Sequence, residues 1–332
     1  MHALVLERPG LVTAVDRLWL REVADPEPEA GELLLRVGAC AVCRTDLQLV
    51  EGQLPAHRIP TILGHQVVGR VEAVGAGVGG WLVGERAAVG WLGGTCGICR
   101  ACRDGRENLC AAARFTGWDR DGGFAERMVV RADFALRVPD SFDDLAAAPL
   151  LCGGVIGYRS LLVSGIRPGG RLVLYGFGAS ALLAIQVARH WGCEVHVATR
   201  SGRERARALE LGAASVGGYD DPPPAPLDAA VTFAPTGGVV LAALRALDRG
   251  GTVAINAIHL DGIPAFGYPD LWWERSLRSV ANYTRADAHA FLELAAAIPV
   301  RTRVEALPLA AGADALRRIS AGTLDGTVVL VP

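Results

Sequence analysis

Over the first 150 residues or so, apolar positions gather in short runs closed by glycine or charged residues: LLLRVGA (33–39), VVGRVEAVG (67–75), RAAVGW (86–91) and ERMVVRA (126–132). Such runs between turn residues predict strands, so this part reads as β-rich. Beyond residue 153 the pattern becomes a regular exchange of helical and extended segments. VIGYRSLLV reads as a helix, followed by the turn RPGG, the unbroken apolar strand RLVLYG and the long apolar helix ASALLAIQVARHWG. EVHVAT, RERARALELGA, DAAVTFA, GVVLAALRALDRGG and TVAINA continue the alternation. Strands that are apolar throughout are buried on both faces, which predicts a parallel sheet covered by helices on each side. The proline cluster DDPPPAP (220–226) reads as a surface connection. From about 286 come a helix, ADAHAFLELAAA, and a final strand, GTVVLV, a tail free to rejoin the first part. A chain of 332 residues suits two such domains.

The composition narrows the function. Apolar residues make up 51%, enough for two cores, and 33 basic residues face 35 acids for a net charge of −2, which argues against a nucleic-acid partner. Every basic residue is arginine; so uniform a choice ignores position and reflects compositional bias. MHALVLERPG lacks the basic segment, apolar run and small-residue cleavage site of an export signal, and no uncharged stretch reaches the roughly 18 apolar residues of a membrane span. A cytoplasmic protein without a membrane partner is expected. Eight cysteines in that setting point to metal or catalysis rather than disulfides.

Four of them, Cys96, Cys99, Cys102 and Cys110, follow the spacing C-x2-C-x2-C-x7-C in a polar loop, CGICRACRDGRENLC. Four thiolates satisfy tetrahedral zinc with no position left for a substrate, so the lobe reads as a structural site; an iron–sulfur cluster uses the same donors, and spacing leaves it open. Elsewhere stand CRTD (43–46), GHQ (64–66) and PLLCGG (149–154). Cys, His and Cys form one of the ligand sets of catalytic zinc, which keeps a fourth position open, but no local spacing shows that Cys43, His65 and Cys152 meet.

A cofactor loop is also visible. YGFGASA places Gly176, Gly178 and Ala181 in the G-x-G-x-x-G/A pattern between a strand and a helix, where glycine allows close approach of a pyrophosphate to free helix N–H groups. At the end of the second strand, where NAD enzymes carry an acid for the ribose, stand Thr199 and Arg200, with Arg203 nearby. A hydroxyl and a guanidinium suit a 2′-phosphate, so NADP(H) is favoured over NAD(H). Arg285 reads as solvated; Cys40 and Cys193 read as packing thiols.

Together GACAVCRTDL, LGHQVVGRVEAVG, CGICRACRDGRENLC, DGGFAE, APLLCGG and GFGASA, in this order and spacing, resemble the zinc-dependent medium-chain alcohol dehydrogenases along essentially the whole chain. The resemblance implies an α/β fold, a GroES-like β-rich catalytic domain (1–152 and 286–332) plus a Rossmann doubly wound parallel sheet (153–285). It implies two zinc ions per chain, one catalytic on Cys43, His65 and Cys152, the other structural on the four-cysteine lobe. Zinc would stabilise an alkoxide and so make hydride loss to the nicotinamide feasible. Thr45 resembles the hydroxyl that passes the alcohol proton outward, Asp46 the carboxylate that orients His65, Arg44 a position facing the pyrophosphate, and Trp91 an aromatic wall of the alcohol pocket, to which Trp118 adds a second face. The implied partners are a small alcohol or aldehyde and further copies of the chain, as dimer or tetramer. Three residues depart from the pattern: Gln66 where many relatives carry Glu, Gln48 where a relay His is common, and Ile156 where a Thr often meets the nicotinamide. They keep two alternatives in view, a zinc-free enoyl or quinone reductase and a family member without turnover.

Overall fold

Each of the four runs read as strands forms one: Glu32–Ala41, Val67–Val74, Arg86–Val89 and Arg127–Arg131. They join a seven-stranded sheet ordered Leu136–Arg137, Arg86–Val89, Val67–Val74, Glu32–Ala41, Thr327–Val331, Val304–Pro308, with Arg127–Arg131 also paired to Glu32–Ala41. The long strand serves both neighbours on one edge. Its start pairs with Arg127–Arg131 and its end, Cys40–Ala41, with Leu330 and Val329, so the chain's tail closes the sheet it left. Leu33, Leu35, Val67, Val68 and Leu330, all without exposed surface, form its core.

The computed structural model describes residues 1–13, 17–298 and 300–332. It divides into two units, Met1–Cys152 with Thr284–Ala296 and Arg301–Pro332, and Gly153–Tyr283 with Ala297–Val300. In the second unit six strands run parallel in the order Ser215–Gly217, Glu194–Ala198, Arg171–Tyr175, Leu227–Thr232, Leu247–Ile255, Ser276–Ser279. Counted along this unit, that is the 3-2-1-4-5-6 order of the dinucleotide-binding fold. The sheet differs from the pattern reading at one point. The segment GVVLAALRALDRGG, read as helix to its end, is helical only over Gly237–Ala246, and Leu247 already begins the next strand. There Leu247 pairs in register with Leu227 and a bulge follows, so sheet pairing overrides the helical period.

Asp144–Ser164 is long and apolar enough to cross a membrane by length and composition. Two thirds of the window (67%) is buried inside the fold, which makes it a core segment.

Candidate active site

Sheet register brings the first two candidate ligands together. Cys40 pairs with Val67 and the Ala41 N–H donates to the Gln66 carbonyl at 3.0 Å, so the chain leaves one strand toward Cys43 beside the point where it enters the next from His65. Cys43 then caps a short helix, α1 (Arg44–Val50). Its Sγ accepts the Thr45 N–H at 3.3 Å, while the Asp46 carboxylate reaches back to the Cys43 N–H at 2.9 Å. This reciprocal cap aims the sulfur along the helix start, where free N–H groups favour negative charge. Cys152 follows the buried turn Ala148–Leu151, which packs against the strand that ends before Cys43.

The ligand atoms of Cys43, His65 and Cys152 all lie within 4.8 Å of one another, and Cys43 Sγ is 3.3 Å from His65 Nε2. On the other side of the ring, His65 Nδ1 stands 3.3 Å from Asp46 Oδ1, and among the described residues these two buried atoms have no hydrogen-bond partner beyond each other. A carboxylate so placed fixes the tautomer and turns Nε2 toward the sulfurs, as metal-ligating histidines require. Electrostatics agree. The bond with the Cys152 thiol and burial push the Cys43 thiol well up. Burial works against charge on His65, but the adjacent Cys43 sulfur and Asp46 carboxylate outweigh it and carry the ring up to about 10. Cys43 and His65, crowded in a buried site, hold protons until a cation replaces them. The donor set fits a divalent metal that accepts thiolate and imidazole.

The four-cysteine lobe is a second cluster. Sulfur separations are 3.5 Å for Cys99–Cys102 and Cys110–Cys96 and 3.9 Å for Cys96–Cys102. Thiolates tetrahedral about one zinc lie about 3.8 Å apart. An iron–sulfur cluster shares its cysteines among two or four irons and spreads the set of sulfurs further, so the geometry fits a single ion. The Ile98 and Cys99 N–H groups draw Cys96 down to about 6. The Cys102 N–H lowers Cys99, but neighbouring thiols and burial outweigh it and push Cys99 up to about 11. The lobe has almost no core of its own, since Ile98 is 76% exposed and Leu109 50%. Glu107, nearly buried, anchors it by accepting the Arg285 N–H at 2.9 Å and the Arg285 Nε at 3.3 Å. Arg285 is thus a structural partner of the lobe, with its side chain still 40% exposed.

Around the first cluster, Trp91 is buried and meets the His65 ring edge-on at 4.6 Å, and Trp118 stacks on Trp91 at 5.7 Å. Gln66 is buried and turned to the Ala41 carbonyl at 3.3 Å. Gln48 lies one turn beyond Thr45 on α1, and Arg44 is exposed at its start.

In the second unit, Gly176 has φ +84°, and a Cβ there would sit 3.1 Å from the Ala234 nitrogen, so the turn after Arg171–Tyr175 requires glycine. Gly178 begins helix α2 (Ala179–His190), where a Cβ would meet nothing within 4 Å, leaving clear space before the helix N–H groups. Ala181 is fully buried. Thr199, only 2% exposed, does not offer its hydroxyl outward; it donates to Glu204 in the first turn of helix α3 (Gly202–Glu210). Arg205 Nε donates to the Thr199 carbonyl at 2.9 Å, and the exposed Arg200 lies over the Tyr219 ring at 5.7 Å. Ile156 lies in the helix Gly153–Ser164. Glu204 and Arg205, on the helix turn that folds back over the strand end, engage Thr199, a pairing that the pattern at the strand end does not signal.

A cysteine-capped helix beside a cysteine–histidine pair, a separate four-thiol lobe and a 3-2-1-4-5-6 sheet fit a protein with two metal-type donor clusters and a dinucleotide-binding fold. The profile of the alcohol dehydrogenase GroES-like domain matches residues 29–140. The chain is 50% identical to the "Probable alcohol dehydrogenase AdhA" of Mycobacterium tuberculosis over 100% of this chain and 97% of that one. It is 35% identical to an alcohol dehydrogenase of Geobacillus stearothermophilus over 94% of this chain and 96% of that one. Its fold superposes with a TM-score of 0.90 on a cobalt- and zinc-bound thermostable alcohol dehydrogenase of Pyrobaculum aerophilum, 26% identical, covering 100% and 99% of the two chains. The chain belongs to the medium-chain zinc alcohol dehydrogenase family and is an oxidoreductase of the alcohol dehydrogenase type.

Proposed function

We propose that the protein is a zinc-dependent dehydrogenase that interconverts small alcohols with aldehydes or ketones and uses NADP(H) in preference to NAD(H). The observation that carries this reading is the convergence of Cys43, His65 and Cys152 with Asp46 behind the imidazole, three ligands that leave a fourth position of a tetrahedral ion for a substrate oxygen. A zinc bound there supplies Lewis-acid polarisation of that oxygen. The chain's own groups do the rest. Asp46 holds the His65 tautomer, and Trp91 shields one side of the imidazole from water. Thr45, in the first turn of α1, takes and passes on the alcohol proton; with Gln48 in place of a titrating relay residue, the proton leaves to water or to the cofactor ribose. Metal analysis with an alcohol and aldehyde panel tests the reading. Two zinc ions per chain with turnover support it, and turnover without zinc at Cys43 overturns it in favour of a zinc-free reductase.

Cofactor choice rests on Arg200, exposed beside the strand end, with Ser201 and Arg205 near it. Arg200→Ala is expected to raise KM for NADPH by about 10- to 100-fold and leave KM for NADH within about twofold, since a guanidinium–phosphate contact is strong and charge-assisted. Initial rates with both cofactors check this. Wild-type preference for NADH would assign the site to Glu204 and the unmodified ribose instead.

The reading includes a homo-oligomer, dimer or tetramer. It is supported by the strand Ser276–Ser279 at the sheet's end and by exposed Tyr268, Trp272 and Trp273 in the segment before it. Sedimentation at micromolar concentration should show more than one chain; a monomer there would reject this part.

A further inference from the structure

From His65, which Trp91 meets edge-on, a series of stacked aromatic rings leads outward. Beyond Trp91 and Trp118, Phe115 lies against both at 5.4 and 5.6 Å, and His57 stacks on the outer face of Trp118 at 4.0 Å with 21° between the planes. This last ring is pinned. His57 Nδ1 donates to Asp119 Oδ1 at 2.7 Å, and the Asp119 side chain is 7% exposed while that of His57 is 50% exposed. The other Asp119 oxygen accepts the Phe115 N–H at 2.8 Å, and Trp118 Nε1 donates to the Pro55 carbonyl at 2.8 Å.

Joining the two chain segments does not require this arrangement. Asp121 already does so by accepting the Ile62 N–H at 2.9 Å and pairing with Arg58. What Asp119 adds is orientation. A buried carboxylate bonded to one imidazole nitrogen fixes the ring's tautomer and plane, and a fixed plane stacked at 4.0 Å leaves the indole beneath it little freedom to rotate.

We propose that His57 is a specificity-determining positioning residue: held by Asp119, it locks Trp118 near-parallel to Trp91 and Phe115, and the resulting series of stacked rings beside His65 selects conjugated, planar alcohols and aldehydes over short aliphatic ones. Trp91–Phe115, Trp91–Trp118 and Phe115–Trp118 depart from parallel by 28°, 26° and 29°, so the rings partly cover one another and a planar substrate would extend the series as one more near-parallel ring. The inference rests on the metal-site reading above, because the wall matters for specificity only if the substrate is held beside His65.

The test uses the full-length enzyme with benzaldehyde and butanal as probes. In His57→Ala the ratio of kcat/KM for benzaldehyde to that for butanal should fall about five- to tenfold, through KM for benzaldehyde, as expected for loss of one stacking contact and its pinned partner. His57→Phe keeps a ring on Trp118 and should recover most of the ratio; Asp119→Asn should lie between the two. An equal loss for both substrates, no change in the ratio, or no recovery in His57→Phe overturns the proposal. Benzaldehyde binding followed by tryptophan fluorescence, without turnover, separates the two readings. A Kd raised in His57→Ala supports the wall even if the wild type reduces neither aldehyde, a result that would count against the dehydrogenase reading, and an unchanged Kd removes His57 from recognition.

Discussion

Cys43→Ala should lose one of the two metal ions proposed per chain and lower aldehyde turnover by about 10³-fold or more, because the ion proposed to polarise the substrate oxygen would keep only two protein ligands. Turnover here depends on a small local construction. The Cys43 sulfur is held by the Thr45 N–H, its backbone by Asp46, and Asp46 in turn faces His65, so one side chain organises the next. Alanine also removes a helix cap, which costs about 0.5–2 kcal/mol. Cys43→Ser keeps an oxygen for the cap but supplies a poorer ligand, and it separates the two effects: turnover should fall nearly as far while thermal stability recovers. Asp46→Asn is expected to lose less, about 10- to 100-fold, since it disturbs the orientation of a ligand and not its presence. Metal content by atomic absorption, initial rates and thermal melts on the three variants make the comparison. Full turnover in Cys43→Ala with one ion missing would remove zinc from the chemistry. Binding is also tied to pH. Cys43 and His65 both hold protons in the free site, so metal binding must release them, and affinity should weaken as pH falls.

The second large effect concerns the lobe. Cys96→Ala should release the other ion, leave the ion at Cys43 in place, and lower Tm by about 10 °C, because metal binding to a segment with no core of its own is folding free energy. Cys96 and Cys99 do not ionise together unaided: while backbone N–H groups hold Cys96 down to about 6, neighbouring thiols push Cys99 up to about 11. A dication resolves that conflict. Melting of the lobe would also free Glu107 from the Arg285 N–H, so the start of the helix Arg285–Ala297 should gain hydrogen exchange. Differential scanning fluorimetry, zinc counting and exchange at Arg285 read the three consequences. An unchanged Tm would mean that the lobe holds without metal, and iron with visible absorbance would replace zinc by a cluster.

Much of this was legible in one dimension. Buried parallel strands betray themselves as unbroken apolar runs, and Arg171–Tyr175, Glu194–Ala198 and Leu227–Thr232 lie where those runs stand. The lobe's ligands are close in sequence, so their spacing alone implies one small ion. Other elements escaped notice. Helix α1 covers only seven residues, too few for a helical period to emerge, and the strand beginning at Leu247 was hidden inside a helical pattern until pairing with Leu227 claimed it.

Local periodicity and turn chemistry are properties of neighbouring residues, and they dictate the alternation of elements, the glycine at Gly176 and the donor types on offer. Meeting in space is not such a property. Cys43, His65 and Cys152 come together only through the register of Cys40 on Val67 and the packing of Ala148–Leu151. The same holds for Thr199, whose hydroxyl is turned inward to Glu204, and for His57, which reaches Asp119 across 62 residues. Contacts of that kind depend on how strands pair and loops fold back, where a shift of one residue would send every side chain to the opposite face.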